Sequence, residues 1–185
     1  MASALSHAVV AIALGKIYRP QPMPWRFWGL SILCSLLPDA DVIGFALGID
    51  YDNMLGHRGL SHSLVFAFCL GYGVVWGFCR DTARFSRAWW SLVVYFTAVT
   101  ASHGILDALT NGGLGIAFFA PFDATRYFFA WRPVRVSPMS VTAFFSRWGV
   151  RIVLSEMLYI WLPTGLLLGL CALGRYLAAS KSSPP

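Results

Sequence analysis

AWWSLVVYFTAVTASHGILDAL, residues 88–109, is a run of 22 residues whose only charged or imidazole side chains, His103 and Asp107, fall near its end. It is long enough to cross the ~30 Å hydrocarbon core of a bilayer. Ile152 to Leu173 is of similar character, and Leu64 to Phe78 reaches span length only if Leu60 to Ser63 join it. Ala2 to Gly15 and Phe27 to Leu37 are shorter and read as half-helices or helices packed inside a bundle. With 57% hydrophobic and 12% charged residues and a mean hydropathy of +0.63, the chain lies outside soluble-domain composition. The expectation is an all-α, multi-pass transmembrane bundle with about three full spans, two shorter N-terminal helices and an interfacial segment near 111–150.

The apolar start lacks a basic stretch ahead of it and is interrupted by His7, which argues against a cleaved signal peptide. Cys34, Cys69, Cys79 and Cys171 sit singly in apolar segments without a CxxC pair, the pattern of packing residues. No internal repeat or nucleotide-binding glycine loop interrupts the chain. Residues 1–177 read as a single domain and 178–185 as a short flexible tail.

All four histidines and three of the eight acids lie in short polar islands: His7, Pro38-Asp39-Ala40-Asp41, His57 to Ser63 and His103 to Asp107. Buried imidazoles and carboxylates are costly in an apolar chain, so several together point to a metal or proton-handling site. Alternating spans put Lys16, Arg19 and Arg26, then Arg80, Arg84 and Arg87, then Arg175 and Lys181 on one face, and the islands toward the other. The positive-inside rule makes the first face cytoplasmic and turns the site outward, although six arginines on the site face weaken that bias.

His103 and Asp107, four apart on a helix, share one face and can bind a common cation; the alternative is a hydrogen-bonded pair that holds the bundle together. His57 and His62 flank a turn and a helix start, where Ser61 or Ser63 can cap. Asp39 abuts Leu36-Leu37-Pro38 at the membrane boundary and reads as a ligand or general base. Asp41 is the more exposed candidate, and Asp50 and Asp52 read as a solvated loop. His7 reads as a satisfied core histidine or, by its side of the membrane, as a ligand. Glu156, deep in the last apolar helix, either pairs with Arg151 or joins the site.

In this order, LLPDAD, HRGLSHS and HGILDALT, after His7 and between apolar spans, resemble the bacterial LexA-regulated, membrane-bound metal-dependent hydrolase family, the YdjM type, from about His7 to Glu156. The resemblance implies a small multi-pass protein of the bacterial inner membrane that hydrolyses its substrate with a divalent metal. A more distant similarity is to zinc-dependent phospholipase C, on which His7, Asp39, His62, His103 and Asp107 take the ligand places. No histidine follows Asp107, so the later pair of a three-zinc cluster is missing and at most one or two metals fit.

On that footing the metal ligands are His7, Asp39, His62, His103 and Asp107, with zinc first and manganese or magnesium next. Two cations bridged by Asp107 would polarise a phosphoryl or ester oxygen and activate a water, with Asp39, His57 and Arg58 as catalytic groups. Arg58, Arg126, Arg132 and Arg135 are candidates to clamp phosphate as bidentate forks, the last three also reading as interfacial anchors beside Tyr127, Trp131 and Trp148. The implied substrate is a membrane lipid or lipid-linked phosphate. The net charge of +6 fits anionic headgroups better than nucleic acid. The competing expectation is a non-enzymatic membrane protein, a transporter or assembly factor, using the same cluster structurally or as a proton relay.

Overall fold

The helix that carries His103 and Asp107, α5 (Arg87–Ala108), is the axis around which the other helices assemble. The structure, a computed structural model, describes residues 1–19, 23–138 and 140–182. Around α5 stand α1 (Ala4–Tyr18), α2 (Trp25–Leu36) and α4 (Leu64–Phe78). A 3-10 turn, Leu37–Val42, leads from α2 into the short α3 (Ile43–Ala46), and a second, Leu60–His62, precedes α4. After α5 the chain runs without regular structure to α6 (Val141–Phe144), α7 (Arg147–Glu156) and α8 (Leu162–Ser182). Two isolated β-bridges, Thr110 to Val134 and Ile116 to Tyr127, are the extended pairings among the described residues.

Local chemistry sets several of these boundaries. Ser63 accepts from Phe66 N at 3.0 Å and starts α4, while Ser86 accepts from Trp89 N at 3.2 Å and starts α5. Pro38 stands in the first turn of the 3-10 segment, where its missing N–H costs no hydrogen bond, and the chain turns there toward the site. The backbone widens to a π turn over Met157–Trp161, just ahead of Pro163, which cannot donate to the helical ladder.

The helices alternate in direction. Ala2 N at the start of α1 bonds Asp107 at the end of α5, and Tyr18 at the other end of α1 bonds Ser91 near the start of α5. Ser35, near the end of α2, and His62, before α4, both meet His103. Glu156 bonds Ser3, whereas Arg175 donates to the carbonyls of Lys16 and Ile17 at the far end. The polar islands therefore share one end, and Lys16, Arg26 and Arg175 share the opposite one, where Arg26 lies 3.3 Å from Asp81.

Between these ends lies an apolar core of Ala11, Phe27, Leu30, Cys34, Val75, Trp89, Val93, Phe96 and Val99. Tyr95 stacks on Tyr18 and Phe27 with centroids 4.7 and 4.9 Å away, and its hydroxyl meets Ser31 Oγ at 2.7 Å. α4 and α5 approach through Gly71, where any Cβ would lie 2.6 Å from Thr97 Oγ1.

Two helical stretches are long and apolar enough to cross a membrane: Trp25–Ala46 (22 residues) and Arg147–Ser180 (34 residues, only 6% of its apolar window buried). α1 and α4 are shorter apolar helices. This differs from the expected three spans in two ways. Phe27 to Leu37 is no half-helix, because the helical path continues through the 3-10 turn into α3. α5 has the length but not the hydropathy of the other two, and one side of it, including Phe96, Val99, His103 and Asp107, is buried among its neighbours while Val94 and Ile105 are exposed. At the C-terminus, residues 178–182 continue α8 where the composition suggested a tail, and residues 183–185 lie outside the described residues.

Candidate metal centre

Four donors from three places in the chain converge at the shared end: Asp39 from the 3-10 turn after α2, His62 from the turn before α4, and His103 and Asp107 from α5. One atom of each lies within 4.8 Å of all the others. His62 Nε2 and His103 Nε2 are 3.1 Å apart, and Asp39 Oδ1 is 3.2 Å from His103 Nε2 and 3.6 Å from His62 Nε2. Asp107 Oδ2 lies 3.8 Å from His62 Nε2 and 4.0 Å from His103 Nε2. A tetrahedron with ligand bonds of about 2.0–2.1 Å has edges of ~3.3 Å, so these separations suit one small cation.

The hydrogen bonds around the cluster decide where its lone pairs point. His103 Nδ1 donates to the Ser35 carbonyl at 2.7 Å, which leaves the lone pair of the neutral ring on Nε2. His62 Nδ1 faces Ser61 Oγ at 2.9 Å and Asp41 Oδ2 at 3.2 Å, which directs its Nε2 lone pair inward in the same way. Held by their far nitrogens, the two rings turn Nε2 toward each other across 3.1 Å, where a cation can take the place of a shared proton. Asp39 Oδ1 and Asp107 Oδ2 are buried and have no hydrogen-bond partner among the described residues. Donor type and spacing fit a metal ion.

For His62, burial works against the charged form, but the facing carboxylates of Asp39 and Asp41 and the charge of Asp107 outweigh it and raise the pKa to about 8. Without a metal the cluster thus takes up a proton at neutral pH.

Around this group stands a supporting set. Asp41 is the hub: Oδ1 is 2.6 Å from His57 Nδ1, and Oδ2 accepts from Arg58 N at 3.0 Å and from Ser61 Oγ at 2.5 Å. Its side chain is 6% exposed against 14% for Asp39, the reverse of the sequence expectation, because the 3-10 turn wraps it inward. His57 is buried, and its Nε2 has no partner. His7 lies flat on His103, centroids 3.8 Å apart, with Nε2 3.4 Å from Asp107 Oδ1. It reaches the cluster through Asp107 and stands outside the group of four.

The arginine expectations change most. Arg58 is fully buried, with Nε 3.3 Å from Asp107 Oδ2 and its terminal nitrogens donating to Gly112 O at 2.6 Å and Thr110 Oγ1 at 3.1 Å. Its fork is committed inside the protein and is not open to clamp a phosphate. Its φ of 66° is rare for a side-chain-bearing residue and is held by these bonds. Arg126 donates to the carbonyls of His57, Tyr51 and Asn53, fastening the loop that delivers His57. Arg132 and Arg135 are exposed and lie over Phe128 and Trp148 at 4.5 and 5.8 Å. Glu156 neither pairs with Arg151 nor joins the cluster: its carboxylate accepts from Ser3 N and Oγ at 2.5 Å and from Ser6 Oγ at 2.9 Å. Ser35 and Thr110, which orient the site, carried no sequence signal apart from their places beside the islands, and Ser61, a candidate cap, instead meets Asp41 and His62.

The connection after α5 folds over this end. Leu64 N donates to Phe118 O and Ala117 N to Arg58 O, while Ile116, Ala120 and Val134 are fully buried beneath it.

Fold and site together define a helical membrane protein with a buried His/Asp cluster, competent to hold a metal, at one end of its bundle. The chain belongs to the YdjM inner membrane protein family, whose model matches residues 1–181. It is 34% identical over 175 residues to the inner membrane protein YbcI of Escherichia coli (strain K12), covering 92% of this chain and 96% of that protein. No solved structure matches it. The chain is accordingly an inner membrane protein.

Proposed function

We propose that the cluster of Asp39, His62, His103 and Asp107 holds a divalent cation, zinc in the first instance, and that the protein is a metal-dependent hydrolase of a phosphoester in a membrane lipid or lipid-linked substrate. The observation that carries the metal is the pair of imidazole nitrogens fixed 3.1 Å apart by partners on their far sides, with two unpartnered carboxylate oxygens beside them. Bound there, the cation supplies Lewis acidity and a water of lowered pKa. His57, with Nδ1 on Asp41 and Nε2 unpartnered, is the group that moves the proton. Arg58 neutralises and orients Asp107 and does not touch substrate. The positive-inside rule, applied to the end that carries Lys16, Arg26 and Arg175, turns the site toward the periplasm.

One observation favours a second reading, a structural metal in a non-catalytic transporter or assembly factor. His62, His103 and Asp107 have fully buried side chains and Asp39 is 14% exposed, the closed character of structural sites. Elemental analysis of detergent-purified protein, followed by phosphate release from lipid phosphates with and without chelator, separates the readings. The hydrolase reading expects about one metal per chain, lost in His103→Ala, and chelator-sensitive release. Folded protein without metal overturns both readings, and metal without release on any lipid phosphate favours the second.

A further inference from the structure

Two apolar hollows of about 280 and 360 Å³ meet at Phe144 and Phe145, at the same end as the cluster but on its flank. The first lies between Ser3, Ala4 and Leu5 at the start of α1, Ser137, Pro138 and Ser140, and α6. The second runs along α7 past Gly149, Val150, Val153 and Leu154. The two walls are fastened together, because Glu156 of α7 takes its hydrogen bonds from Ser3 and Ser6. Phe145 is 83%, Val150 61% and Leu154 59% exposed.

We infer that this groove binds an acyl chain of an anionic bilayer phospholipid. It occupies the first turns of the Arg147–Ser180 stretch, which is apolar enough to cross the membrane, so it is continuous with the lipid-facing surface at a membrane boundary. Arg147 and Arg151, four apart on α7, are exposed and flank the strip of Val150 and Leu154 by helical spacing, and Arg135 lies near Trp148. An acyl chain in the groove thus has cationic side chains at its edge for the phosphate. The inference concerns binding and stands apart from the hydrolase reading.

The test reconstitutes the full chain in phosphatidylcholine vesicles with a trace of phosphatidylglycerol or phosphatidylcholine carrying an acyl-chain diazirine. Photolabelling is then mapped by mass spectrometry. Labelling by the phosphatidylglycerol probe is expected to be severalfold greater on 137–154 than on the outward leucines Leu166 and Leu170. Val153→Trp should cut it severalfold without changing α8 labelling, and Arg147→Gln with Arg151→Gln should erase the preference for phosphatidylglycerol. Val150→Trp serves if circular dichroism shows that Val153→Trp has not folded. Equal labelling of groove and α8, no response to either tryptophan, or loss of a dimer on filling the groove overturns the inference, the last by naming a second copy as occupant.

Discussion

Asp107 receives Ala2 N at 2.6 Å on one oxygen, and its other oxygen lies 3.3 Å from Arg58 Nε while facing both His62 and His103. Its removal has two effects of different kind. Asp107→Ala strands a buried guanidinium and is expected to destabilise the fold by about 3–5 kcal/mol as well as abolish metal binding, read by thermal melting and elemental analysis. His57→Ala, which touches none of the four ligands' inward atoms, should keep the metal and lower hydrolysis by about 10²–10⁴-fold. Equal loss of metal in that variant would make His57 a ligand. The raised pKa of His62 sets the pH response. Below about pH 8, metal loading must displace its proton, so apparent affinity falls with pH by up to about tenfold per pH unit, and calorimetry in two buffers reads the released proton. In metal-free protein the folding contribution has the opposite dependence: it is complete below ~6.5 and lost as pH rises through about 8.

Helices act in this protein mainly as rods that carry polar groups to one end, and the contacts between them are correspondingly close. Gly71 is the point where α4 meets α5, and Gly71→Val drives side-chain atoms into Thr97 and the α5 backbone. The expected cost is about 1–3 kcal/mol, with His62 displaced relative to His103 and metal affinity lowered at the same time. A melt shift without loss of metal would show that α4 tilts without moving the turn before it. Glu156 is the other element-scale tie. Glu156→Ala leaves the Ser3 N–H unpaired in a buried place and should cost about 1–3 kcal/mol while the purified protein still binds metal. The expectation that Glu156 served the site came from its depth in an apolar helix. Depth alone does not distinguish a ligand from a strut, and Ser3 and Ser6 became visible as its partners only once α1 and α7 were side by side.

For the whole molecule, alternating helix directions gather the cluster at one end and the cationic residues at the other. With the site toward the periplasm, a cysteine at Asp52 on a cysteine-free background should react with an impermeant maleimide in intact cells. One at Ala83, near the opposite end, should react only after lysis. The reverse pattern would place the candidate site in the cytoplasm and change the available substrates. The directions themselves were legible in the sequence, because basic clusters after alternate apolar stretches have to fall on one side. The count of spans was not. Residues 25–46 join into one helical path through Pro38, and residues 88–109 pack against three neighbours, and neither fact is contained in a hydropathy profile.

The sequence by itself determined that the chain is helical and membrane-embedded, which residues form its polar islands, and that those islands meet. Composition and segment length are one-dimensional quantities, and an apolar environment that cannot hydrogen-bond the backbone translates them directly into helices. Only the tertiary structure decided the role of each polar side chain. Asp41 became the hub of two histidines, Arg58 an internal counter-ion, Arg126 a loop fastener and Glu156 a strut. Those roles depend on which donor lies within about 3 Å of which acceptor, and that is settled by side chains brought together from residues 3 to 156 of the chain.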